Sequence, residues 1–252
     1  MRDIIIGMKG KLNFDSISII LVRPKFPENI GSVARAMKNM GLSRLVVVNG
    51  CSPLQMNAYK LASGAEDILE RAEEVSTLEE AIYGVGCVAG MTSRQGKGRN
   101  PLLTPEALVE RLFSLSQKNF IGLAFGPEKD GLTNEELSLC QLYVRIPSAD
   151  SFPSLNLAQT VMVVCYELSK ATGTIPRHPP QVAQADQLEK MFEHMRKTLM
   201  TIGFLDPKHP EKMMRTLRNL FGKSQMDDRE VRIMRGIWSQ VDWYTRRKEK
   251  KK

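Results

Sequence analysis

The amino-acid sequence predicts an α/β protein whose sheet is mainly parallel, followed by a small helical extension. Three observations lead to this prediction. Short apolar runs alternate with helical patterns over residues 1–175, a proline-rich segment follows, and only helical patterns come after it. We therefore expect one domain over residues 1–175, and a linker with a basic helical domain over residues 176–252.

The first domain contains strand and helix candidates in alternation, which favours parallel βαβ units. The strand candidates are apolar runs at residues 17–22, 45–48, 85–91, 120–125 and 142–146. The helix candidates between or after them are at residues 30–40, 67–72, 78–83, 105–116 and 156–172. Gly173 and the run Pro-Arg-His-Pro-Pro at residues 176–180 should end the last helix and form a stiff linker. Beyond this linker we expect helices at residues 183–202, 210–221 and 228–244.

The first candidate functional segment, Pro-Glu-Asn-Ile-Gly-Ser-Val-Ala-Arg-Ala at residues 27–36, follows the first strand. Residues 23–29 should form a loop, and Asn29 should cap a helix whose apolar residues recur at helical spacing. Arg35 then lies on the opposite, polar face, where a single arginine is usually just solvated. Gly31 in the first turn would leave backbone N–H groups open to an anion such as phosphate.

Two further segments place polar residues directly after apolar strands. In residues 123–137, two glycines bracket a turn that carries Glu128, and a Thr-Asn-Glu-Glu capping box opens a helix. Residues 146–161 leave a strand and enter a helix that Ser154 or Asn156 could cap. Because α/β proteins place ligand contacts in the loops that follow their strands, both segments are candidate parts of a binding site.

These three segments, in this order and at this spacing, resemble the three motifs of the SpoU/TrmH (SPOUT) family of S-adenosylmethionine-dependent RNA ribose methyltransferases. The residues that carry the resemblance are Asn29, Gly31 and Arg35 in the first motif, Gly126, Glu128 and Gly131 in the second, and Ile146, Pro147, Ser154, Leu155 and Asn156 in the third. Within the family, the sequences of the three motifs are most similar to those of the TrmJ-type tRNA methyltransferases. The similarity covers residues 17–238 and so includes the helical C-terminal part.

The resemblance implies a deep trefoil knot, in which the chain near residues 146–156 is threaded through a loop and holds the cofactor, S-adenosylmethionine. The cofactor contacts that it implies are Thr92, Ser93, Arg94, Gly126, Ile146, Ser154, Leu155 and Asn156. The catalytic residues that it implies are Arg35, Asn29 and Glu128, in a homodimer with each site completed across the interface. Because a guanidinium is a poor base, we expect Arg35 to orient the ribose hydroxyl and a phosphate that assists proton removal.

The substrate that the resemblance implies is the ribose of nucleotide 32 in the tRNA anticodon loop, either cytidine or uridine. Ribosomal RNA is one alternative, and a non-catalytic RNA-binding module on the same scaffold is another. Residues 1–179 hold 19 basic against 18 acidic side chains, whereas residues 180–252 hold 17 against 10. We therefore expect the C-terminal part to add electrostatic affinity for RNA, although the last seven residues could equally be a solvated tail.

Composition argues against membrane and metal-binding proteins. No apolar run reaches the roughly 18 residues that a bilayer span needs, and residues 1–14 lack the pattern of a signal peptide. We therefore expect a cytoplasmic protein with no membrane partner. The cysteines lie far apart and the three histidines show no ligand spacing, so we expect buried reduced thiols and no metal site.

Overall fold

A computed structural model gives the structure of the protein for residues 8–93, 102–149, 151, 154–222 and 224–249. The strands are β1 (Met8–Lys11), β2 (Ile17–Val22), β3 (Arg44–Val48), β4 (Glu73–Val75), β5 (Cys87–Met91), β6 (Leu102–Leu103), β7 (Ile121–Phe125), β8 (Leu142–Val144) and β9 (Thr172–Ile175). The helices are α1 (Pro27–Asn39), α2 (Met56–Ala62), α3 (Glu66–Glu70), α4 (Leu78–Ala81), α5 (Pro105–Leu115), α6 (Asn134–Ser138), α7 (Leu157–Ser169), α8 (Ala185–Thr201), α9 (Pro210–Gly222) and α10 (Asp228–Glu249).

The main sheet of the described residues has seven strands in the order β4-β3-β2-β7-β5-β8-β6, and every pair of neighbours is parallel. The central strands β2, β5 and β7 are buried along their whole length. They are almost entirely apolar because helices cover both faces of a parallel sheet. The prediction of a mainly parallel α/β fold is confirmed.

Alternate residues of each strand pack into apolar cores on the two faces of the sheet. Ile17, Ile19 and Leu21 of β2 pack into one core with residues of α1, α5 and α7. Ile20 and Val22 pack into the other core with residues of α4 and α6. The carboxyl ends of the strands are left at one edge of the sheet, and the loops after β2, β7, β5 and β8 follow neighbouring strands there.

The two-stranded ribbon of β1 and β9 lies outside the main sheet and was not predicted. These strands are short and mix lysine, threonine and glycine, so they lack the apolar run that marks a buried strand. Gly173 lies within β9 and does not end a helix, because α7 already stops at Ser169. A Cβ at Gly173 would lie 3.0 Å from the ring of Phe113, so the glycine makes room for α5. The short elements α2, β4 and β6 were also missed.

The start of α1 differs from the sequence prediction. The helix begins at Pro27, so Asn29 lies inside the first turn and is not the cap. Proline is favoured at the first helical position because the N–H that it lacks would be unpaired there anyway. Gly31 consequently lies in the second turn, where a Cβ would come within 2.0 Å of the carbonyl oxygen of Ala58 in α2. Its small size lets the two helices touch, and the expectation that Gly31 lies in the first turn was wrong.

The C-terminal helices α8, α9 and α10 pack around an apolar core of their own. Arg218 of α9 pairs with the carboxylate of Glu189 on α8, and its guanidinium lies 4.6 Å from the centre of the Phe192 ring. The hydroxyl of Tyr143 in β8 donates to Asn219 at 2.7 Å and links this core to the sheet. The predicted helical extension is confirmed, while the boundary between residues 175 and 176 stays a prediction.

Candidate active site

Three loops at the carboxyl edge of the sheet enclose a cavity of about 320 Å³. They follow β7, β5 and β8, which are adjacent in the sheet in an order that differs from their order in the chain. The volume lies within the roughly 300–1,000 Å³ of small-molecule sites. The second and third segments identified in the sequence therefore meet at one place.

The cavity lining is partly apolar and partly polar. Its apolar side chains include Met91, Phe125, Val144, Ile146, Leu155 and Leu157. Its polar side chains include Thr92, Ser93, Glu128, Lys129, Asp130 and Ser154. Such a lining suits a ligand with an apolar body and polar or charged ends.

Glycines shape the loop between β7 and α6. A Cβ on Gly126 would lie 2.1 Å from the backbone nitrogen of Leu132, so only glycine allows the loop to return so closely on itself. Gly131 has a φ of +65° and its N–H donates to the carbonyl of Pro127 at 3.0 Å. The predicted capping box then starts α6, with Thr133 as the cap. Glu128 is thereby held in a tight loop beside the cavity.

Asn29 connects the other two predicted segments. Its amide nitrogen donates to Glu128 Oε1 at 2.7 Å, and its amide oxygen accepts from Asn156 Nδ2 at 3.2 Å. The backbone N–H of Lys25 donates to the other oxygen of Glu128 at 3.3 Å. The three motifs are thus joined by hydrogen bonds through a single asparagine side chain.

Asn156 also caps α7, as the sequence suggested. Its side-chain oxygen accepts the N–H of Ala158 at 2.8 Å, and its own N–H donates to Gln159 at 3.3 Å. Both side-chain groups of Asn156 are therefore engaged, one with α7 and the other with Asn29. This double use fixes the position of α7 relative to α1.

Most of the predicted cofactor contacts line the cavity: Thr92, Ser93, Gly126, Ile146, Ser154 and Leu155. Asn156 is not among the lining residues, although its neighbours Leu155 and Leu157 are. Arg94 lies outside the described residues. Of the predicted catalytic residues, Glu128 lines the cavity and Asn29 contacts Glu128.

Arg35 is placed apart from this group. It is exposed on α1 two turns beyond Asn29, and it is not among the residues that line the cavity. Within the described parts of the chain, its guanidinium has no hydrogen-bond or ion-pair partner. A single chain therefore does not bring Arg35 to the cavity.

Lys129 and Asp130 line the cavity but were missed in the sequence. Both lie between Gly126 and Gly131, and a loop bracketed by two glycines after a strand could have indicated them. Lys25 was also missed. Its contact with Glu128 is made by the backbone, which leaves no signal in the residue type.

The cysteines do not add a nucleophile to this site. Burial raises the pKa of the Cys87, Cys140 and Cys165 thiols to about 12, so they stay protonated at neutral pH. Cys51 is half-buried, and burial also raises its pKa.

Within the described ranges, no group of three or more His, Cys, Asp or Glu side chains could hold a metal ion. No helix of those residues is both long and apolar enough to cross a membrane.

Comparison with known proteins assigns both parts of the chain. The profile of the SpoU rRNA Methylase family matches residues 16–166. The profile of the C-terminal domain of the tRNA methyltransferase TrmJ matches residues 186–252.

Similar proteins extend over nearly the whole chain. The tRNA (cytidine/uridine/adenosine-2′-O-)-methyltransferase TrmJ of Pseudomonas aeruginosa is 42% identical over 90% of this chain and 94% of its own. The tRNA (cytidine/uridine-2′-O-)-methyltransferase TrmJ of Escherichia coli K12 is 36% identical over 90% and 95%. The crystal structure of TrmJ from Z. mobilis ZM4 matches with a TM-score of 0.79 and 34% identity, covering 89% of this chain and 98% of that one. The chain belongs to the SpoU methylase family, and its last helices are similar to the C-terminal domain of TrmJ.

Proposed function

We propose that this protein is an S-adenosylmethionine-dependent methyltransferase that methylates a ribose 2′-hydroxyl of tRNA, at nucleotide 32 of the anticodon loop. The observation that carries the proposal is the hydrogen-bonded chain of Asn156, Asn29 and Glu128 beside a cavity of about 320 Å³. Family membership supports methyl transfer, and the similarity to proteins named as tRNA 2′-O-methyltransferases supports the substrate.

The cavity fits the cofactor in its chemistry. Phe125, Val144 and Ile146 offer an apolar wall for a nucleoside, and the carboxylate of Glu128 favours a positively charged group. The cofactor supplies a methyl group activated by the positive charge on its sulfur. The proposed cofactor contacts are Thr92, Ser93, Arg94, Gly126, Ile146, Ser154, Leu155 and Asn156. The trefoil knot near residues 146–156 is part of this proposal.

The protein must align a weak nucleophile. A ribose hydroxyl keeps its proton at neutral pH, so the enzyme has to hold it in line with the methyl group and help the proton leave. Arg35, whose guanidinium donates hydrogen bonds but accepts none, orients the hydroxyl and the neighbouring phosphate, and that phosphate assists proton removal. Glu128 and Asn29 keep the shape of the pocket through their mutual hydrogen bond.

We propose a homodimer because Arg35 lies outside the cavity of its own chain. In the dimer, Arg35 of one protomer reaches the cavity of the other. The outward side of α7 supports such an interface, since Met162 and Val163 are only partly buried and Tyr166 is exposed. A tRNA substrate supports a cytoplasmic enzyme without a membrane partner.

The test is methyl transfer from tritiated S-adenosylmethionine to purified RNA. We expect incorporation into bulk tRNA, and nuclease mapping should locate the label on the ribose of nucleotide 32. Labelling of ribosomal RNA alone would identify ribosomal RNA as the substrate. The absence of labelling in both RNAs, with the cofactor bound, would favour a non-catalytic RNA-binding module.

A further inference from the structure

One aromatic side chain stands exposed beside the cavity. Phe26 immediately precedes α1 and is 55% exposed. Glu128, which lines the cavity, accepts the backbone N–H of Lys25 on one side of Phe26 and the side-chain amide of Asn29 on the other. The backbone that carries the ring is therefore linked to Glu128 through Lys25, one residue before it, and through Asn29, three residues after it.

The backbone around this ring is firmly held. Arg23 donates its N–H to the carbonyl of Val48 at 2.7 Å, and the carbonyl of Pro24 accepts the N–H of Cys51 at 3.0 Å. The ring of Pro27, the residue after Phe26, fixes its own backbone torsion φ. The loop between β2 and α1 thus presents the ring from a preorganised backbone, which leaves little conformational entropy to lose on binding.

The ring of Phe26 is open to a ligand. Among the described residues it contacts no other ring and no cation, whereas the exposed ring of Phe120 is covered by the guanidinium of Arg44, 5.0 Å from its centre. Next to it, the half-exposed side chain of Lys25 forms an ion pair with Asp130 at 3.8 Å, and such an exposed pair is weak enough for Lys25 to exchange its partner. A flat apolar face with a neighbouring cation is what proteins offer to unpaired nucleotides, which stack their bases and present a phosphate.

We propose that Phe26 is a substrate-positioning residue whose ring stacks on a nucleobase of the RNA, at or next to the nucleotide that is methylated, while Lys25 contacts an adjacent phosphate. This inference rests on the proposed RNA methyltransferase function and states how the chain holds the RNA against the cavity. Every base offers a π-face, so Phe26 fixes the position of the RNA and not the identity of the base.

Three substitutions separate stacking from simple apolar contact. Phe26→Ala and Phe26→Leu should each lower kcat/KM for tRNA about 10- to 100-fold, because neither side chain can stack. Phe26→Trp should stay within about threefold of the wild type, because indole stacks at least as well. The affinity for S-adenosylmethionine, measured by calorimetry, should stay within about twofold in all three variants, since Phe26 does not line the cavity.

A matched control is available in Tyr83, which is 72% exposed and follows α4 outside the loops that line the cavity. Tyr83→Ala should leave kcat/KM unchanged. In Phe26→Trp, added tRNA should quench more fluorescence than in the wild type, where Trp238 and Trp243 set the background. A role of Phe26 in folding alone would not produce this quenching.

The outcomes are distinct. Phe26→Ala with wild-type kcat/KM, or Phe26→Leu as active as Phe26→Trp, would overturn the inference. A wild-type enzyme that binds the cofactor and methylates no RNA would instead refute the proposed function, and that result is read before any variant is compared.

Discussion

The carboxyl edge of the sheet and the C-terminal helices differ in how their functional side chains are held. At the edge, Asn156, Asn29 and Glu128 are bonded to one another, so their positions are fixed. On α10, by contrast, Trp243 and Tyr244 are exposed, and a cation lies over each ring. We expect the edge to provide geometry for chemistry and the C-terminal helices to provide charge for RNA affinity, so each should be removable without the other.

Arg35→Ala should have the largest effect on the chemical step. We expect kcat to fall at least about 10³-fold, because the ribose hydroxyl loses its alignment and the phosphate its partner. The affinities for tRNA and for S-adenosylmethionine should change less than about threefold, since one exposed cation contributes little binding. Single-turnover methyl transfer and calorimetry measure the two quantities. Full activity in this variant would remove Arg35 from catalysis.

A mixed dimer tests whether Arg35 acts across the interface between the two chains. Arg35→Ala and Ser154→Trp, which blocks the cavity, should each be inactive alone. Co-expressed chains should recover roughly a quarter of the wild-type activity, because half of the dimers are mixed and each mixed dimer has one intact site. Recovery depends on Arg35 acting across the interface. If mass spectrometry detects mixed dimers but no activity is recovered, Arg35 acts on the cavity of its own chain.

Asn29→Ala should have an intermediate effect at the edge. Glu128 and Asn156 would both lose a hydrogen-bond partner. Loss of a group that positions catalytic residues typically costs about 10- to 100-fold, so we expect kcat/KM to fall by that factor. Asn57→Ala is the control, because Asn57 bonds Glu28 on the exposed side of α1. Equal losses in both variants would indicate a general fault in α1.

Neutralising Arg246, Arg247 and Lys248 to glutamine should raise KM for tRNA and leave kcat unchanged. Each lost phosphate contact should flatten the plot of log K against log salt by roughly 0.7–0.9. The matched control neutralises Lys60, Arg111 and Lys118, three exposed cations of the sheet domain. An unchanged slope in the α10 variant would mean that this end of the helix does not touch RNA.

The smallest effect is a pH dependence confined to the C-terminal helices. Burial alone would raise the pKa of Asp242, but hydrogen bonds from Thr198 and His194 outweigh it and lower the pKa below its usual range. The carboxylate therefore stabilises the packing of α8 on α10 above its unfolded pKa of about 3.9, and this contribution is lost as pH falls through the lower folded value.

Intrinsic fluorescence can follow this transition, because both tryptophans of the chain, Trp238 and Trp243, lie in α10. We expect Thr198→Val to unfold at a higher pH than the wild type during acidification, because its Asp242 carboxylate has lost a hydrogen-bond donor. An identical transition in both proteins would show that Asp242 does not contribute.

Local rules predicted the parts of this molecule that local forces decide. The apolar runs located the central strands. The cap Thr133 was identified correctly, and Asn156 was one of two candidates for the cap of α7, because a cap needs only neighbours in sequence. At α1 two local preferences competed, and proline at the first helical position prevailed over asparagine as the cap.

What the sequence could not predict depends on contacts between distant segments. The strand order β2-β7-β5-β8 brings Asn29 to Glu128, 99 residues away, and no periodicity encodes that pairing. The role of Gly31 follows from the approach of α2, which is equally non-local. The resemblance to a known family indicated the site residues, and the fold explains why Asn29, Glu128 and Asn156 meet.

The most direct test of the account is the location of the methyl group in tRNA treated with the purified enzyme and S-adenosylmethionine. The account predicts one 2′-O-methyl group on the ribose of nucleotide 32, formed by the wild type and absent with Arg35→Ala. A methyl group on a base, or equal labelling by both proteins, would contradict it.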